Sequence, residues 1–201
     1  MPAKVEICNL SLTHLGIGKT IENFDTEKSE EARAFRAVYD IALRKTLRDY
    51  NWGFATMITD LALVEEDPNS EWGYSYRYPV DCINMKRILS GKRTDSRKSR
   101  VSYKIISDSQ GVLVLTDQEN AAMEYIFFAD NPFTYPPDFV IAFSYYLAHL
   151  ASARITLGDQ FKLGDRAYKL YLVELSTAAS RNFNEQQPDI EPDSEFITER
   201  L

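Results

Sequence analysis

The spacing of apolar residues changes twice along this chain, and this change constrains the fold more than any other feature. Over residues 5–15 and 29–50, apolar side chains recur every three or four positions, as on one face of a helix. Residues 53–130 instead hold short alternating runs between turn-forming clusters, and helical spacing returns over residues 139–182. We therefore predict an α+β fold, with two N-terminal and two C-terminal helices in an antiparallel bundle and an antiparallel β domain inserted between them.

Local signals place the ends of the predicted helices. Gly16 follows the first apolar stripe and Gly158 follows the third, so each is expected to end its helix as a C-terminal glycine. The second stripe begins with Glu30 and Glu31 and ends in basic residues, the order that the helix dipole favours.

The β segment is predicted to fold as an antiparallel meander, because its links are too short for the crossovers that parallel strands need. Turns are expected at residues 67–69, 90–91 and 109–111. The predicted strands are residues 55–64, 74–78, 82–89, 100–106, 112–115 and 123–128.

The chain is accordingly divided into three parts. Residues 1–52 and 131–183 form the helical bundle domain, and residues 53–130 form the inserted β domain. Residues 184–201 hold two prolines and six acids without an apolar period, which predicts an extended C-terminal tail.

Composition narrows the partners and the compartment. The 201 residues carry 23 Lys and Arg against 30 Asp and Glu, a formal net charge of −7, which excludes a generally basic nucleic-acid coat. No stretch has the ~18 consecutive apolar residues of a membrane span, and the N-terminus lacks the apolar core of a signal peptide. We therefore expect no membrane partner. Cys8 and Cys82 suggest two buried thiols, so we expect a protein made in a reducing cytoplasm.

No motif in the sequence marks a catalytic, cofactor or metal site. His14 and His149 lie in predicted helices with no serine, cysteine or carboxylate at a triad spacing, which favours structural histidines. The run Gly18-Lys19-Thr20 ends like a phosphate-binding loop, but a helix precedes it where that loop needs a strand. We therefore expect no cofactor, no metal ion and no enzymatic activity.

Three segments are candidate partner-binding surfaces. Residues 92–104 hold six basic residues against one acid, a pattern that binds phosphates or an acidic partner, although a solvated hairpin tip is the alternative. Alternating rings in residues 72–78 would share one strand face, which favours either a subunit contact or core packing. The acidic tail ends in apolar residues, typical of a segment that orders on binding or of a frayed terminus. The predicted contact residues are Lys92, Arg93, Arg97, Lys98, Arg100, Trp72, Tyr74, Tyr76, Phe196, Ile197 and Leu201.

Four motifs resemble those of a known family. They are Ile7-Cys8-Asn9-Leu10 with Leu15-Gly16, Glu31-Ala32-Arg33-Ala34-Phe35-Arg36 with Tyr39-Asp40, Leu47-Arg48-Asp49-Tyr50-Asn51-Trp52-Gly53-Phe54-Ala55, and Trp72-Gly73-Tyr74-Ser75-Tyr76-Arg77-Tyr78-Pro79-Val80-Asp81-Cys82. In these motifs the chain resembles the tail tubular protein A family of tailed phages, which are head-to-tail adaptors. The resemblance covers about residues 5–130, and the two later helices fit in order and length.

The resemblance implies a structural virion protein, assembled in the host cytoplasm, that forms a ring at the head–tail junction and closes the packaged head. Such a ring, typically of twelve copies, joins the portal protein to the tail nozzle protein, and DNA leaves through its lumen with non-specific contact. C-terminal segments in the family commonly reach the portal, and insertion loops commonly meet the nozzle. In a ring, the opposite charges of residues 92–104 and of the tail suggest a pairing between neighbouring copies.

Two other functions remain open from the sequence. One is a nucleic-acid-binding module that uses the basic hairpin at residues 92–104. The other is a small cytoplasmic hydrolase whose site no motif marks.

Overall fold

The computed structural model describes residues 3–91, 100–159 and 161–185, with side chains up to residue 181. The described chain forms two compact units, one from residues up to 56 together with residues 126–185 and one from residues 57–125. It contains four helices and two antiparallel sheets, which confirms the α+β class.

The first unit, called here the helical unit, contains all four helices. These are α1 (Lys4–His14), α2 (Glu30–Asp49), α3 (Pro137–Ile155) and α4 (Leu163–Glu185). Helix α3 contacts each of the other three. Helix α4 runs to Glu185, so the first two residues of the predicted tail are helical and the rest of that tail lies outside the described residues. Within the described ranges, none of the helices has the length and apolar character to cross a membrane.

Local hydrogen bonds explain where α2 begins and where α1 ends. The Ser29 side chain accepts a hydrogen bond from the Ala32 N–H and so caps α2. After α1, Gly16 adopts a φ of 71° and the Ile17 N–H bonds the Leu12 carbonyl at 3.0 Å. This is a Schellman motif, and it confirms the predicted glycine end.

Helix α3 ends one residue earlier than the glycine signal predicts. Leu157, rather than Gly158, occupies the left-handed position after the helix, with a φ of 55°. The Gly158 N–H then bonds the Ala153 carbonyl at 2.8 Å, which satisfies a carbonyl of the last turn.

Aromatic rings fill the core of the helical unit. Trp52 is buried and its indole Nε1–H donates to the Thr46 carbonyl at 2.9 Å. Its ring meets Phe139 edge to face, with the ring centroids 4.9 Å apart. Phe139 also contacts the rings of Tyr135 and Phe143, so the end of α2 and the start of α3 share one aromatic cluster.

The strands form two sheets. They are β1 (Thr56–Asp60), β2 (Leu63–Asn69), β3 (Trp72–Arg77), β4 (Cys82–Ile88), β5 (Tyr103–Asp108), β6 (Gly111–Thr116) and β7 (Ala122–Phe127). One sheet has the order β1-β7-β4 and the other has the order β2-β3-β6-β5. Only β2 with β3 and β5 with β6 are consecutive neighbours in one sheet, so the predicted simple meander is wrong.

Two local predictions in the β segment are also wrong. The predicted strand 55–64 breaks before Leu63 into β1 and β2, which belong to different sheets. The predicted turn at residues 67–69 lies inside β2, where Asp67 has a φ of 48° and the pairing register shifts. An aspartate tolerates this left-handed conformation, so the segment forms a bulge and the chain reverses after Asn69. The turn at residues 109–111 is confirmed. At the predicted turn 90–91, Gly91 has a φ of 70°, and residues 92–99 lie outside the described residues.

Candidate interaction surface

The aromatic residues of β3 lie on one face of the four-stranded sheet. Trp72, Tyr74 and Tyr76 alternate along a continuous strand, and successive side chains of a strand point to opposite faces. The centroids of the Tyr74 and Tyr76 rings are 6.3 Å apart. The strand register therefore unites the three rings on one face.

Tyr76 belongs to the core of the β unit, defined as residues 57–125. Its side chain is 2% exposed. Its hydroxyl donates to the Gln118 carbonyl at 2.9 Å and accepts from the Ala121 N–H at 3.4 Å. Tyr76 is therefore a core residue rather than a contact residue, because its ring is not accessible at the surface.

Trp72 and Tyr74 are half-buried at the acidic edge of the same face. The negative charge of Glu119 raises the pKa of the Tyr74 hydroxyl, with smaller contributions from burial and from Glu66. The neighbouring edge strand β2 adds exposed Glu65, Glu66 and Asp67. This edge therefore favours a basic partner and repels phosphates.

The opposite edge strand, β5, has a different chemistry. Arg100, just before it, and Lys104, within it, are exposed. Tyr103 and Ile105 are 37% and 47% exposed, and they lie opposite Thr116 and Val114 of β6. Tyr103 and Ile105 therefore continue the aromatic face of β3 as far as β5. Arg100 and Lys104 make this edge basic.

Sequence reasoning missed Tyr103 and Ile105 as surface residues, although their alternation in the segment 100–106 was the available signal. The remaining predicted contact residues lie outside the described residues. They are Lys92, Arg93, Arg97, Lys98, Phe196, Ile197 and Leu201.

An ion pair joins β3 to the hairpin between β5 and β6. The Arg77 guanidinium contacts both carboxylate oxygens of Asp108, at 3.1 and 3.2 Å. These hydrogen bonds lower the pKa of the Asp108 carboxyl. The pairing braces the hairpin against β3 across β6, a role that the sequence did not indicate.

The two histidines make hydrogen bonds inside the helical unit. His14 Nε2 lies 2.9 Å from Ser144 Oγ, and Ser144 is fully buried with its hydroxyl donating to the Ile141 carbonyl at 2.8 Å. Since the serine proton is used in that bond, the imidazole is the donor to Ser144 rather than its base. Burial lowers the pKa of His14.

His149 joins α3 to the start of α4. Its Nδ1 is 3.0 Å from the Gly164 carbonyl, which can only accept, so Nδ1 carries the proton. Among the residues that the structure describes, no group of three His, Cys, Asp or Glu side chains is placed to hold a metal ion.

The two thiols differ in burial. Cys8 is fully buried, and burial raises the pKa of its thiol to about 12, so it stays protonated at neutral pH. Cys82 is half-buried, with its Sγ 3.0 Å from the Tyr78 hydroxyl, and burial raises its pKa as well.

In comparisons with known proteins, no protein-family model matches this chain and no curated protein matches it significantly.

Proposed function

We propose that this chain is a structural virion protein, a head-to-tail adaptor whose copies form a ring between the portal and the tail nozzle of a tailed phage. The ring lines part of the DNA exit channel and closes the packaged head. The motif resemblance supports this proposal, together with the chemistry of the four-stranded sheet.

The difference between the two edges of that sheet supports the ring arrangement in this proposal. The β2 edge presents the carboxylates of Glu65, Glu66 and Asp67, whereas the β5 edge presents Lys104 beside exposed apolar side chains. Each copy in a cyclic ring meets its neighbours through two different surfaces. A unit whose two edges differ in charge supplies two such surfaces, and its basic β5 edge suits an acidic segment of a neighbouring copy.

The test is the light-scattering mass of the purified protein, alone and after mixing with its portal ring. We expect a discrete gain that corresponds to about a dozen copies per portal, the ring size that the motif resemblance implies. The variant Arg100→Glu/Lys104→Glu is expected to weaken this association, because it reverses the charge of one edge.

The matched control is Lys28→Glu/Lys169→Glu, which likewise reverses the charge of two exposed basic residues, both in the helical unit. It should leave the association intact if the β5 edge is responsible. Absence of any mass gain at low and high salt would contradict the adaptor proposal.

A nucleic-acid-binding module is the second candidate, and exposed Arg100 and Lys104 favour it. Its signature is DNA affinity of the isolated protein that falls steeply with salt, because bound phosphates release counterions. In that case Arg100→Glu/Lys104→Glu should reduce the slope of log affinity against log salt by about two, roughly one for each lost phosphate contact.

A further inference from the structure

Among the described residues, β5 pairs with another strand on only one of its two sides. The Tyr78 N–H bonds the Val112 carbonyl at 3.0 Å, so the backbone groups of Val112 in β6 point toward β3 and away from β5. Ser107 lies opposite Val112, and its own N–H and C=O therefore point away from β6. Because this direction alternates along the strand, the N–H and C=O groups of Tyr103 and Ile105 also point away from β6.

A second hydrogen bond independently shows which residues of β5 direct their backbone groups toward β6. The Thr116 hydroxyl donates to the Ser102 carbonyl at 2.9 Å, so the residue before β5 directs its carbonyl toward β6. Backbone groups of residues two apart point in the same direction, so the N–H and C=O groups of Lys104 and Ile106 point toward β6. Those of Tyr103, Ile105 and Ser107 therefore point away from it. In the described ranges, no strand pairs with the outward groups of β5.

The two edges of the sheet are protected differently. Edge strand β2 has shifts in its pairing register, a left-handed Asp67, the proline Pro68 and a run of acids, all devices that block the addition of another strand. Strand β5 keeps an unbroken register over its whole length and contains no proline. It also exposes Tyr103 and Ile105 on one face. An edge of this kind invites a strand to cover it.

We propose that β5 binds residues 193–201 of a second copy of this chain as an added β-strand. We assign the added strand to a neighbouring copy because the proposed function places the copies side by side in a ring. Main-chain hydrogen bonds to Tyr103, Ile105 and Ser107 provide the pairing, and side chains on alternate positions select the segment.

The chemistry of residues 193–201 fits this edge. The segment contains no proline or glycine, and it carries three acids against one base, which complements Arg100 and Lys104. Phe196, Ile197 and Thr198 are residues that favour strands. Nine extended residues reach roughly 30 Å, more than the six residues of β5 require, and residues 186–192 connect the segment to α4.

Amide hydrogen exchange in the full-length protein tests the added strand directly. The receiving protein is the full chain with Phe196→Asp/Ile197→Asp, which disables its own segment, and the probe is a synthetic peptide of residues 189–201. We expect the peptide to slow exchange at Tyr103, Ile105 and Ser107 by at least about tenfold, as expected for amides newly paired in a sheet. The amides of Lys104 and Ile106, already bonded to β6, are the internal control and should change little.

The variant Ile105→Pro removes one outward N–H and leaves the bonds between β5 and β6 in place. Its matched control is Ile105→Ala, which loses the side chain but keeps the N–H. We expect the peptide to bind Ile105→Pro about tenfold more weakly than Ile105→Ala, the effect of one hydrogen bond. Equal affinities would overturn the assignment of this edge, and the exchange measurement decides the matter if Ile105→Pro fails to fold.

Dilution of the wild-type chain identifies which copy supplies the strand. Protection of the three outward amides that disappears on dilution supports a second copy. Protection that persists at every dilution, or that is absent at high concentration, overturns it. Failure of the peptide to slow exchange overturns the strand addition and leaves the adaptor proposal intact, because the portal mass measurement tests that proposal separately.

Discussion

Gly164, near the start of α4, packs against Ser152 of α3. A Cβ at this position would overlap Ser152 Oγ and would lie 3.0 Å from Ser152 Cβ and 2.9 Å from Asp159 Oδ2. The Asp159 carboxylate accepts hydrogen bonds from the N–H groups of Leu163 and Gly164, at 2.7 and 3.0 Å, so it cannot move without uncapping α4. Glycine is therefore required here by space rather than by backbone conformation.

Gly164→Ala is expected to lower the free energy of unfolding by about 1–3 kcal/mol, the usual cost of inserting a methyl group into a packed site. Chemical denaturation measures the change. Gly18→Ala is the matched control, because a Cβ at Gly18 meets no atom within 4 Å. Adding Ser152→Ala should recover part of the loss, and an additive double mutant would contradict the proposed overlap.

Two buried tyrosines differ in how their hydroxyls are satisfied. The Tyr39 hydroxyl is buried and has no hydrogen-bond partner among the described residues. The Tyr171 hydroxyl donates to Asp49 Oδ2 at 2.6 Å. Burial is the main cause that raises the pKa of both hydroxyls.

Tyr39→Phe is expected to raise the free energy of unfolding by about 1 kcal/mol, because it removes a buried polar group without breaking a bond. Tyr171→Phe should lower it by about 1.5–3 kcal/mol, because it breaks a hydrogen bond to a charged group. Thermal unfolding of the two variants beside the wild type gives both values. Changes of the same sign would argue against this difference between the two sites.

At the scale of the elements, the end of α3 places a leucine in a conformation that suits glycine. Leu157 has a φ of 55° and its side chain is 87% exposed, so packing offsets little of the backbone cost. Leu157→Gly is expected to raise the free energy of unfolding by roughly 0.5–1 kcal/mol. Leu157→Ala keeps the Cβ and should give no gain. Equal effects of the two variants in urea denaturation would show that the backbone conformation is not the cause.

Glu124 connects strands β7 and β4 through two hydrogen bonds. Its carboxylate oxygens lie 2.6 Å from Lys86 Nζ and 2.6 Å from Arg87 Nε. Burial, the largest single cause, raises the pKa of the Glu124 carboxyl, but the hydrogen bonds and charges of the two cations together lower it below its usual value. The ionised form is therefore the one that stabilises the fold.

A lowered pKa in the folded state means that Glu124 stabilises the protein above the pKa of the unfolded chain, about 4.3. That contribution disappears as the pH falls through the folded-state value. We expect the gap in stability between the wild type and Glu124→Gln to narrow as the pH is lowered from about 6 to about 3. Glu71→Gln, at the exposed turn between β2 and β3, is the control for general charge effects. A gap that stays constant across this range would contradict the assignment.

Helices with a long apolar stripe could be predicted from the sequence, and α2 was predicted to within one residue at each end. Its buried stripe and its Ser29 cap are local signals, and they agree with each other. The pairing of strands could not be predicted, because alternation fixes which face a residue lies on but not which sheet receives the strand. The split between β1 and β2 is the clearest case.

The candidate surface was predictable to a similar extent. Alternation predicts that Trp72, Tyr74, Tyr76 and Tyr78 share one strand face; β3 contains the first three and ends before Tyr78. The burial of Tyr76 depends on Gln118 and Ala121, which lie more than forty residues away. Contacts of that range leave no signal in the local pattern. Likewise, the hydrogen bonds between β3 and β6 determine which backbone groups of β5 point away from the sheet, and these bonds join distant parts of the chain.

At the scale of the whole molecule, each unit contains one of the two tryptophans. Trp52 is buried in the helical unit and Trp72 lies in the β unit. The helical unit is packed around Phe139 and its neighbours, whereas the β unit has its own buried residues, among them Tyr76 and Val114. Because each unit buries apolar residues of its own, we expect two unfolding transitions.

We expect the two 5-fluorotryptophan resonances of the labelled protein to lose their native positions at different urea concentrations. Gly164→Ala should then lower the midpoint reported by Trp52 more than the midpoint reported by Trp72, because Gly164 belongs to the helical unit. Coincident midpoints that shift together would show that the molecule unfolds as one cooperative body.

The β unit is inserted between α2 and α3, and its chain enters on β1 and leaves on β7. These two strands are neighbours in one sheet, so the ends of the insertion lie about one strand spacing apart, near 4.8 Å. An insertion whose ends are adjacent can be lengthened, shortened or exchanged by recombination without moving the helices that it interrupts. Evolution can therefore vary the inserted unit while conserving the helices on either side of it.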